Sequence, residues 1–153
     1  MKNLLRFVTI IFAVITLGAL LAHLFELPGK MRLSKAEYQA VQGIYSGWAW
    51  LGIFEIGAIL LTIIWTISER KNKKIFPGLI GASALFIVSL VIFFMFTYPA
   101  NQATTNWTIL SQNWKKLRKS WEYSHGLRAV LNLTGFSFLI VALLKNESVE
   151  NGS

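Results

Sequence analysis

The sequence contains no cysteine and only two histidines, His23 and His125. Without cysteine there is no disulfide, no thiolate ligand and no cysteine nucleophile, and cysteine usage gives no indication of the redox compartment. Imidazole chemistry is therefore confined to two positions of the chain.

Acidic residues are also scarce. Seven Glu and no Asp stand against 15 Lys and Arg, which gives a formal net charge of +8. Such an excess of positive charge is typical of chains that meet nucleic acid or an anionic membrane surface. The sequence has no base-reading module, so we expect no nucleic-acid partner and interpret the basic residues as topology signals that contact membrane lipid.

Long apolar runs fill most of the chain, whose mean hydropathy is +0.52. Each run has about 20 residues, enough at ~1.5 Å per residue to cross a hydrocarbon layer of about 30 Å. Backbone groups in lipid must bond within their own segment, so the runs are predicted to be helices. We predict an all-α integral membrane four-helix bundle, a single domain over residues 1–153, with spans at about 7–27, 47–67, 79–98 and 124–144 and a flexible polar tail at 145–153.

Two of the connections between spans carry helix signals. Ser34 and Glu37 have the spacing of a capping box, which predicts a short surface helix in the first connection. The third connection reads NWKKLRKSWEYSH over 113–125, an amphipathic pattern that predicts a helical extension in front of the fourth span.

The orientation is predicted from the basic residues. Lys2, Arg6 and the short basic connection at 68–77 favour both termini in the cytoplasm, and we expect a bacterial cytoplasmic membrane. Basic residues in front of the first apolar run also occur in signal peptides. No clean small-x-small cleavage site follows, so we expect the first span to be retained.

Polar residues gather at the end of the bundle where spans one and three finish and spans two and four begin. Glu55 lies about 12 Å inside span two, and a lone charge at that depth costs several kcal/mol. Arg128, always charged, is its predicted partner. We expect a pocket of His, Glu, Arg and Trp side chains at this end and only basic flanks at the other.

The two histidines each stand three residues from a glutamate, as His23-x-x-Glu26 and Glu122-x-x-His125. With Glu55, these pairs resemble part of the carboxylate–histidine pattern of di-iron helical bundles, although the first pair is reversed and span three supplies no carboxylate. A metal site, a metal-free pocket and a structural polar network all remain open. The candidate ligands for iron, or for another transition metal, are His23, Glu26, Glu55, Glu122 and His125.

Aromatic residues near the same interface have two interpretations. An aromatic belt is the usual one, whereas aromatic side chains on the helix face that carries His125 are candidates to bind an aromatic substrate. At about 100° per residue that face, the histidine stripe, consists of Trp114, Arg118, Trp121, His125, Arg128 and Asn132. The candidates for substrate binding are Trp48, Tyr98, Trp114 and Trp121.

Several short segments resemble one family. They are AHLFELPGK (22–30), YSGW (45–48), PANQATTNW (99–107) and W-x-x-L-R-x-x-W-E-x-x-H (114–125). Together they are similar to the anthrone oxygenase-like family of small four-span membrane proteins, mostly of unknown function. The resemblance covers nearly the whole chain and is strongest over 99–128. The motif positions that it marks are Asn101, Trp114, Arg118, Trp121, Glu122 and His125.

Named members of that family oxidise an anthrone to an anthraquinone with O2. The resemblance thus implies an oxygenase or oxidoreductase that acts on a lipophilic aromatic small molecule. In a mechanism of this kind, His125 or Glu122 removes a proton beside a ketone, and Arg118 or Arg128 with Asn101 stabilises the enolate oxygen.

Other functions remain open beside the enzyme. One is a non-enzymatic lipophile- or metal-binding membrane module or complex subunit, and a homo-oligomer is compatible with it. A proton-coupled exporter that uses Glu55 is the third hypothesis. The sequence leaves the cofactor open between none and a transition metal.

Overall fold

The computed structural model describes residues 2–109 and 112–150, with side chains as far as Lys145. Those residues form helices and turns with no strand among them, which confirms the all-α prediction. The α-helices are α1 Lys2–Lys30, α2 Lys35–Gln42, α3 Gly52–Ser68, α4 Phe76–Ile92, α5 Tyr98–Ala103 and α6 Trp114–Glu150. Two 3-10 turns, Gly43–Tyr45 and Trp48–Leu51, precede α3, and a π-helical turn at Phe93–Thr97 joins α4 to α5.

Within the described part of the chain, four helical segments are long and apolar enough to cross a membrane. This confirms the predicted membrane-spanning helical bundle, and the first, third and fourth helical segments are longer than their apolar runs. α1 starts at Lys2 and ends at Lys30, and α6 starts at Trp114, so the amphipathic extension and the fourth span are one helix. The predicted tail is helical as far as Glu150, and residues 151–153 lie outside the described residues. The four spans are Lys2–Lys30, Trp48–Ser68, Phe76–Ala103 and Trp114–Lys145.

Small residues allow the helices to approach closely. A Cβ added at Gly135 of α6 would lie 2.6 Å from a ring carbon of Phe86 on α4. One added at Gly57 of α3 would lie 2.4 Å from the Phe12 ring of α1. Interfaces between helices in lipid rely on such contacts, because burial between helices gains little over contact with lipid tails.

The end of the bundle that carries the short basic connection at 68–77 is called the loop-two end. There α1 begins, α3 meets α4, and a buried ion pair is found. Arg6 Nη2 lies 3.0 Å from Glu69 Oε1, and both residues are buried. The prediction of basic flanks alone at this end was therefore wrong. Glu69 follows the last residue of α3, where a turn brings its carboxylate against α1.

The first connection folds over the opposite end of the bundle. The capping box of Ser34 and Glu37 is present and starts α2 as predicted. The buried residues of the helix are Tyr38 and Gln42, and Tyr38 is completely buried. One face of this short surface helix thus covers the N-terminal part of α6.

Candidate functional site

The ammonium group of Lys30 is the centre of the polar cluster. It lies 3.2 Å from Glu122 Oε2 and 3.3 Å from Glu26 Oε2. It donates to the Tyr45 hydroxyl at 3.1 Å and lies 3.3 Å from Nδ1 of His23. An ammonium group only donates hydrogen bonds, so His23 accepts at Nδ1 and carries its proton on Nε2. Lys30 is 3 % exposed, so this is a buried cation between two carboxylates.

Glu122 is completely buried and is held from two sides. Its Oε2 faces Lys30, and its Oε1 accepts a hydrogen bond of 2.9 Å from the Tyr38 hydroxyl. Burial, followed by the nearby Glu122 carboxylate, raises the pKa of Tyr38 well above its usual range. The hydroxyl thus keeps its proton and remains a donor to the carboxylate.

The exposed side of the cluster has the same arrangement of tyrosine and carboxylate. The Tyr45 hydroxyl donates to Oε2 of Glu26, whose side chain is about half exposed. Burial, followed by this hydrogen bond, raises the pKa of Tyr45. Glu26 therefore pairs with Lys30 on the exposed side of the cluster, whereas Glu122 pairs with Lys30 on the buried side.

The two histidines contact each other through their rings. The ring centroids of His23 and His125 are 4.2 Å apart, and both residues are buried. Trp121 packs on both, with ring centroids 5.0 Å from His23 and 4.3 Å from His125. Tyr45 and Trp48 cover the other side of His23 at 4.6 and 5.6 Å. The two imidazoles thus lie inside an aromatic enclosure.

One nitrogen in this enclosure has no partner among the described residues. Nδ1 of His125 is buried and makes no hydrogen bond. A buried polar atom without a partner costs about 1–3 kcal/mol, so its persistence at the centre of a polar cluster requires an explanation. Functional groups that await a ligand are one such explanation.

Arg128 and Glu55 form the predicted ion pair. Arg128 Nη2 donates to both oxygens of Glu55 at 2.8 and 2.7 Å. Its Nε lies 3.4 Å from Ser89 Oγ on α4, and that oxygen also accepts from Asn132 at 2.7 Å. The pair therefore ties α3, α4 and α6 together beneath the histidines.

Arg118 contacts no carboxylate among the described residues. Its Nη1 donates to the backbone carbonyls of Lys30 at 3.2 Å and Leu33 at 2.8 Å, and its guanidinium lies over the rings of Trp114 and Tyr38. The last carbonyls of a helix lack intrahelical donors and carry partial negative charge, so they attract a guanidinium. Arg118 thus fastens the end of α1 to α6.

Asn101 positions Trp121. Its Oδ1 accepts a hydrogen bond of 2.8 Å from the indole nitrogen of Trp121.

Three consecutive residues after α5 have positive φ, namely Thr105, Asn106 and Trp107. Such conformations cost of order 1 kcal/mol or more each and persist where the surroundings enforce them. They bring buried Trp107 against Tyr38 and Trp121, with ring centroids at 5.1 and 5.9 Å.

The structure assembles most, though not all, of the predicted site residues. Trp114 contacts Tyr38 and Arg118 on the α2 side of the cluster. Tyr98 is 43 % exposed and packs on Phe93 and Phe94, so it does not join the histidine enclosure. The residues that come together at the Lys30 cluster are His23, Glu26, Trp48, Trp121, Glu122 and His125.

The predicted metal ligands do not converge. Among the described residues, no three His, Asp, Glu or Cys side chains are close enough together to hold a metal ion. Glu55 pairs with Arg128, and the Lys30 ammonium stands between Glu26 and Glu122. The position between these two carboxylates already contains a cation.

Sequence reasoning missed Lys30, Tyr38, Tyr45 and Trp107. Lys30 had a signal, since it stands four residues after Glu26 and seven after His23 and so shares their helix face. From the sequence alone it counts only among the basic residues that set topology and contact membrane lipid. Tyr38 and Trp107 had no such signal, because they reach the site from the connections between spans, Tyr38 from α2 and Trp107 from the turn after α5.

Comparisons of the chain with protein-family models, with curated proteins and with solved structures gave no match.

Proposed function

We propose that this membrane protein is an oxygenase that removes a proton from a lipophilic aromatic substrate and passes the resulting carbanion to O2. The observation that carries the proposal is the buried Nδ1 of His125, which has no hydrogen-bond partner among the described residues. The resemblance to the anthrone oxygenase-like family supports the same chemistry, since Asn101, Trp121, Glu122 and His125 are among its motif positions and lie in this site.

His125 is the proposed base. In the tautomer protonated on Nε2, Nδ1 carries a lone pair that can accept a proton from an activated CH2 beside a ketone. The ring contact with His23 and Trp121 holds the imidazole in place. A bound substrate would then satisfy the nitrogen that the folded chain leaves unpaired.

Lys30 is the proposed stabiliser of the enolate oxygen. A fixed positive charge aimed at a developing oxyanion is most effective where water is excluded. The ammonium lies 5.1 Å from the Trp121 ring centroid, and that centroid is 4.3 Å from the His125 ring centroid, so base and cation both contact the same indole. Arg118 and Arg128 were predicted for this role, but Lys30 lies closer to the two histidines, with its ammonium 3.3 Å from Nδ1 of His23, whose ring contacts His125.

The reaction balances with O2 as the oxidant. His125 takes one proton from the CH2 group, and the carbanion adds O2 to form a C–O bond and a peroxide. The protonated imidazole returns its proton to the peroxide. Loss of the second CH proton to the base then breaks the O–O bond and releases water, so that CH2 and O2 become C=O and H2O.

No step in this scheme passes through a metal, because the predicted ligand pool does not fit one. Glu26 and Glu122 both face the Lys30 ammonium. Elemental analysis of the purified protein tests this point directly. We expect no near-stoichiometric transition metal, and stoichiometric iron that disappears in His125→Ala would contradict the proposal.

The test of function is turnover of an anthrone by detergent-purified protein under air, followed by O2 consumption and quinone absorbance. We expect His125→Ala to lose about 10²-fold or more of the activity. Tyr123→Phe is the matched control, because Tyr123 is an exposed aromatic two residues away on the same helix. Circular dichroism and gel filtration would show that both variants remain folded. Unchanged turnover in His125→Ala would refute the role of the base.

A non-enzymatic lipophile-binding module is the second candidate. The observation that favours it is the packing around His23, where four rings lie within 5.6 Å of the imidazole centroid. A cluster filled by its own side chains suits a structural or binding role as well as a catalytic one. Stoichiometric binding of an anthrone without product would select this function over the oxygenase.

A further inference from the structure

A groove opens at the loop-two end, away from the histidines. It has a volume of about 670 Å³ and is lined by the end of α3, the turn after it and the start of α1. Lys2, Arg70 and Lys71 contribute basic side chains, while Ile64 and Ile67 line it on the side of the apolar helix surface. Neither the proposed oxygenase chemistry nor the histidine cluster involves this groove.

The groove carries an excess of positive charge. Glu69 is the carboxylate in its lining, and it is buried in the ion pair with Arg6, with Lys2 at 3.5 Å. Within 2–109 and 112–145, no carboxylate lies within 4.0 Å of Arg70 or Lys71. Both residues are exposed, so their charges are available to an anion from outside the chain.

An apolar stripe on α3 leads directly into the groove. Its members follow the 3–4 residue spacing of one helix face, and each is more than half exposed. They are Ile53, Ile56, Leu60, Ile64 and Ile67. In a span that crosses the membrane, such a face contacts acyl chains, and Arg70 comes three residues after its last member.

We propose that this groove binds an anionic phospholipid, with the phosphate on Arg70, Lys71 and Lys2 and one acyl chain along the α3 stripe. The charge is complementary to the phosphate, and the stripe is complementary to the hydrocarbon. The buried Arg6–Glu69 pair has a part in this, because it neutralises the Glu69 carboxylate and holds the end of α3 against α1.

The experiment is native mass spectrometry of the full chain, titrated with phosphatidylglycerol or phosphatidylcholine of the same acyl chains. We expect preferential binding of phosphatidylglycerol, reduced on the order of tenfold in Arg70→Gln/Lys71→Gln. The matched control is Lys115→Gln/Lys116→Gln, the same charge change at exposed positions of α6 at the other end of the bundle. The charge-preserving Arg70→Lys/Lys71→Arg should retain binding, and it distinguishes a lost contact from a lost fold.

Three outcomes would overturn the proposal. An equal loss in both glutamine variants would mean that the lipid responds to net charge rather than to the groove. Displacement of the lipid by inorganic phosphate at equal concentration would identify a phosphate site without an acyl-chain component. Retained binding in Arg70→Gln/Lys71→Gln would also refute it.

Discussion

Lys30 and Glu122 form an ion pair of 3.2 Å in which the lysine is 3 % exposed and the glutamate is completely buried. A buried pair of this kind recovers the cost of desolvation only if both partners are present. The pair joins the last residue of α1 to the ninth residue of α6, so it couples the two helices that carry the histidines.

Removal of the lysine alone should therefore destabilise the protein strongly. We expect Lys30→Met to lower the free energy of unfolding by about 3–5 kcal/mol, because Glu122 would be left as an uncompensated buried charge. Lys30→Met/Glu122→Gln should recover part of the loss. Denaturation of the detergent-solubilised protein measures these changes in the free energy of unfolding, and Lys115→Met, at an exposed lysine, is the control. A Lys30→Met protein as stable as the parent would show that Glu122 needs no counter-charge.

Alkaline pH should weaken the fold through the two cluster tyrosines. The pKa values of Tyr38 and Tyr45 are raised in the folded chain, mainly by burial, and the unfolded value is about 10. The folded state thus binds more protons than the unfolded state above about pH 10, and stability falls as the pH rises through that range. Below about pH 10 both states are protonated, and this contribution is constant.

Tyrosinate absorbance gives a direct measurement. Tyr38→Phe should leave the absorbance rise of the folded protein just above pH 10 unchanged, since the Tyr38 hydroxyl is not expected to ionise there. The same variant should reduce the fall in stability with pH. A smaller absorbance rise in Tyr38→Phe would mean that Tyr38 ionises in the fold and that its proton is not held by Glu122.

Close packing at Gly135 should make this position intolerant of a methyl group. A Cβ there would approach the buried Phe86 ring to 2.6 Å, so we expect Gly135→Ala to cost about 1–3 kcal/mol of stability. Gly18→Ala is the matched control, because a Cβ at Gly18 meets nothing within 4 Å and alanine favours the helix. Thermal denaturation of both variants measures the difference. Equal stability would show that α4 and α6 can separate without cost.

Much of the architecture follows from the sequence because lipid imposes strict rules on it. Apolar runs that cross a membrane must be helices, and helical spacing then places residues on faces. The stripe of Trp114, Trp121, His125 and Arg128 on α6 was predicted in this way, and all four are buried. The Arg128–Glu55 pair was predictable for a related reason, since a charge at that depth needs a partner.

The remaining parts of the site depend on connections that periodicity does not describe. The Tyr38 side chain reaches the site from the surface helix α2, and Trp107 reaches it from a turn of three residues with positive φ. Neither residue lies on a helix face that was predicted from a span. Glu69 appeared to belong to a solvated basic loop, yet a single turn buries it against Arg6. Lys30 shows the same difficulty, because a lysine at a helix end usually extends to water rather than into the protein.

The pair of Glu55 and Arg128 offers a test that also bears on the exporter hypothesis. Both Glu55 oxygens accept from one guanidinium nitrogen at 2.7–2.8 Å, so the carboxylate is committed to a cation and is unsuited to exchange protons with a transported substrate. We expect Glu55→Gln and Arg128→Met each to cost about 3 kcal/mol or more, and the double variant to cost less than their sum. Denaturation of the three variants gives the coupling energy. Additive losses would mean that the two side chains do not interact, and proton-dependent efflux abolished by Glu55→Gln would favour the exporter.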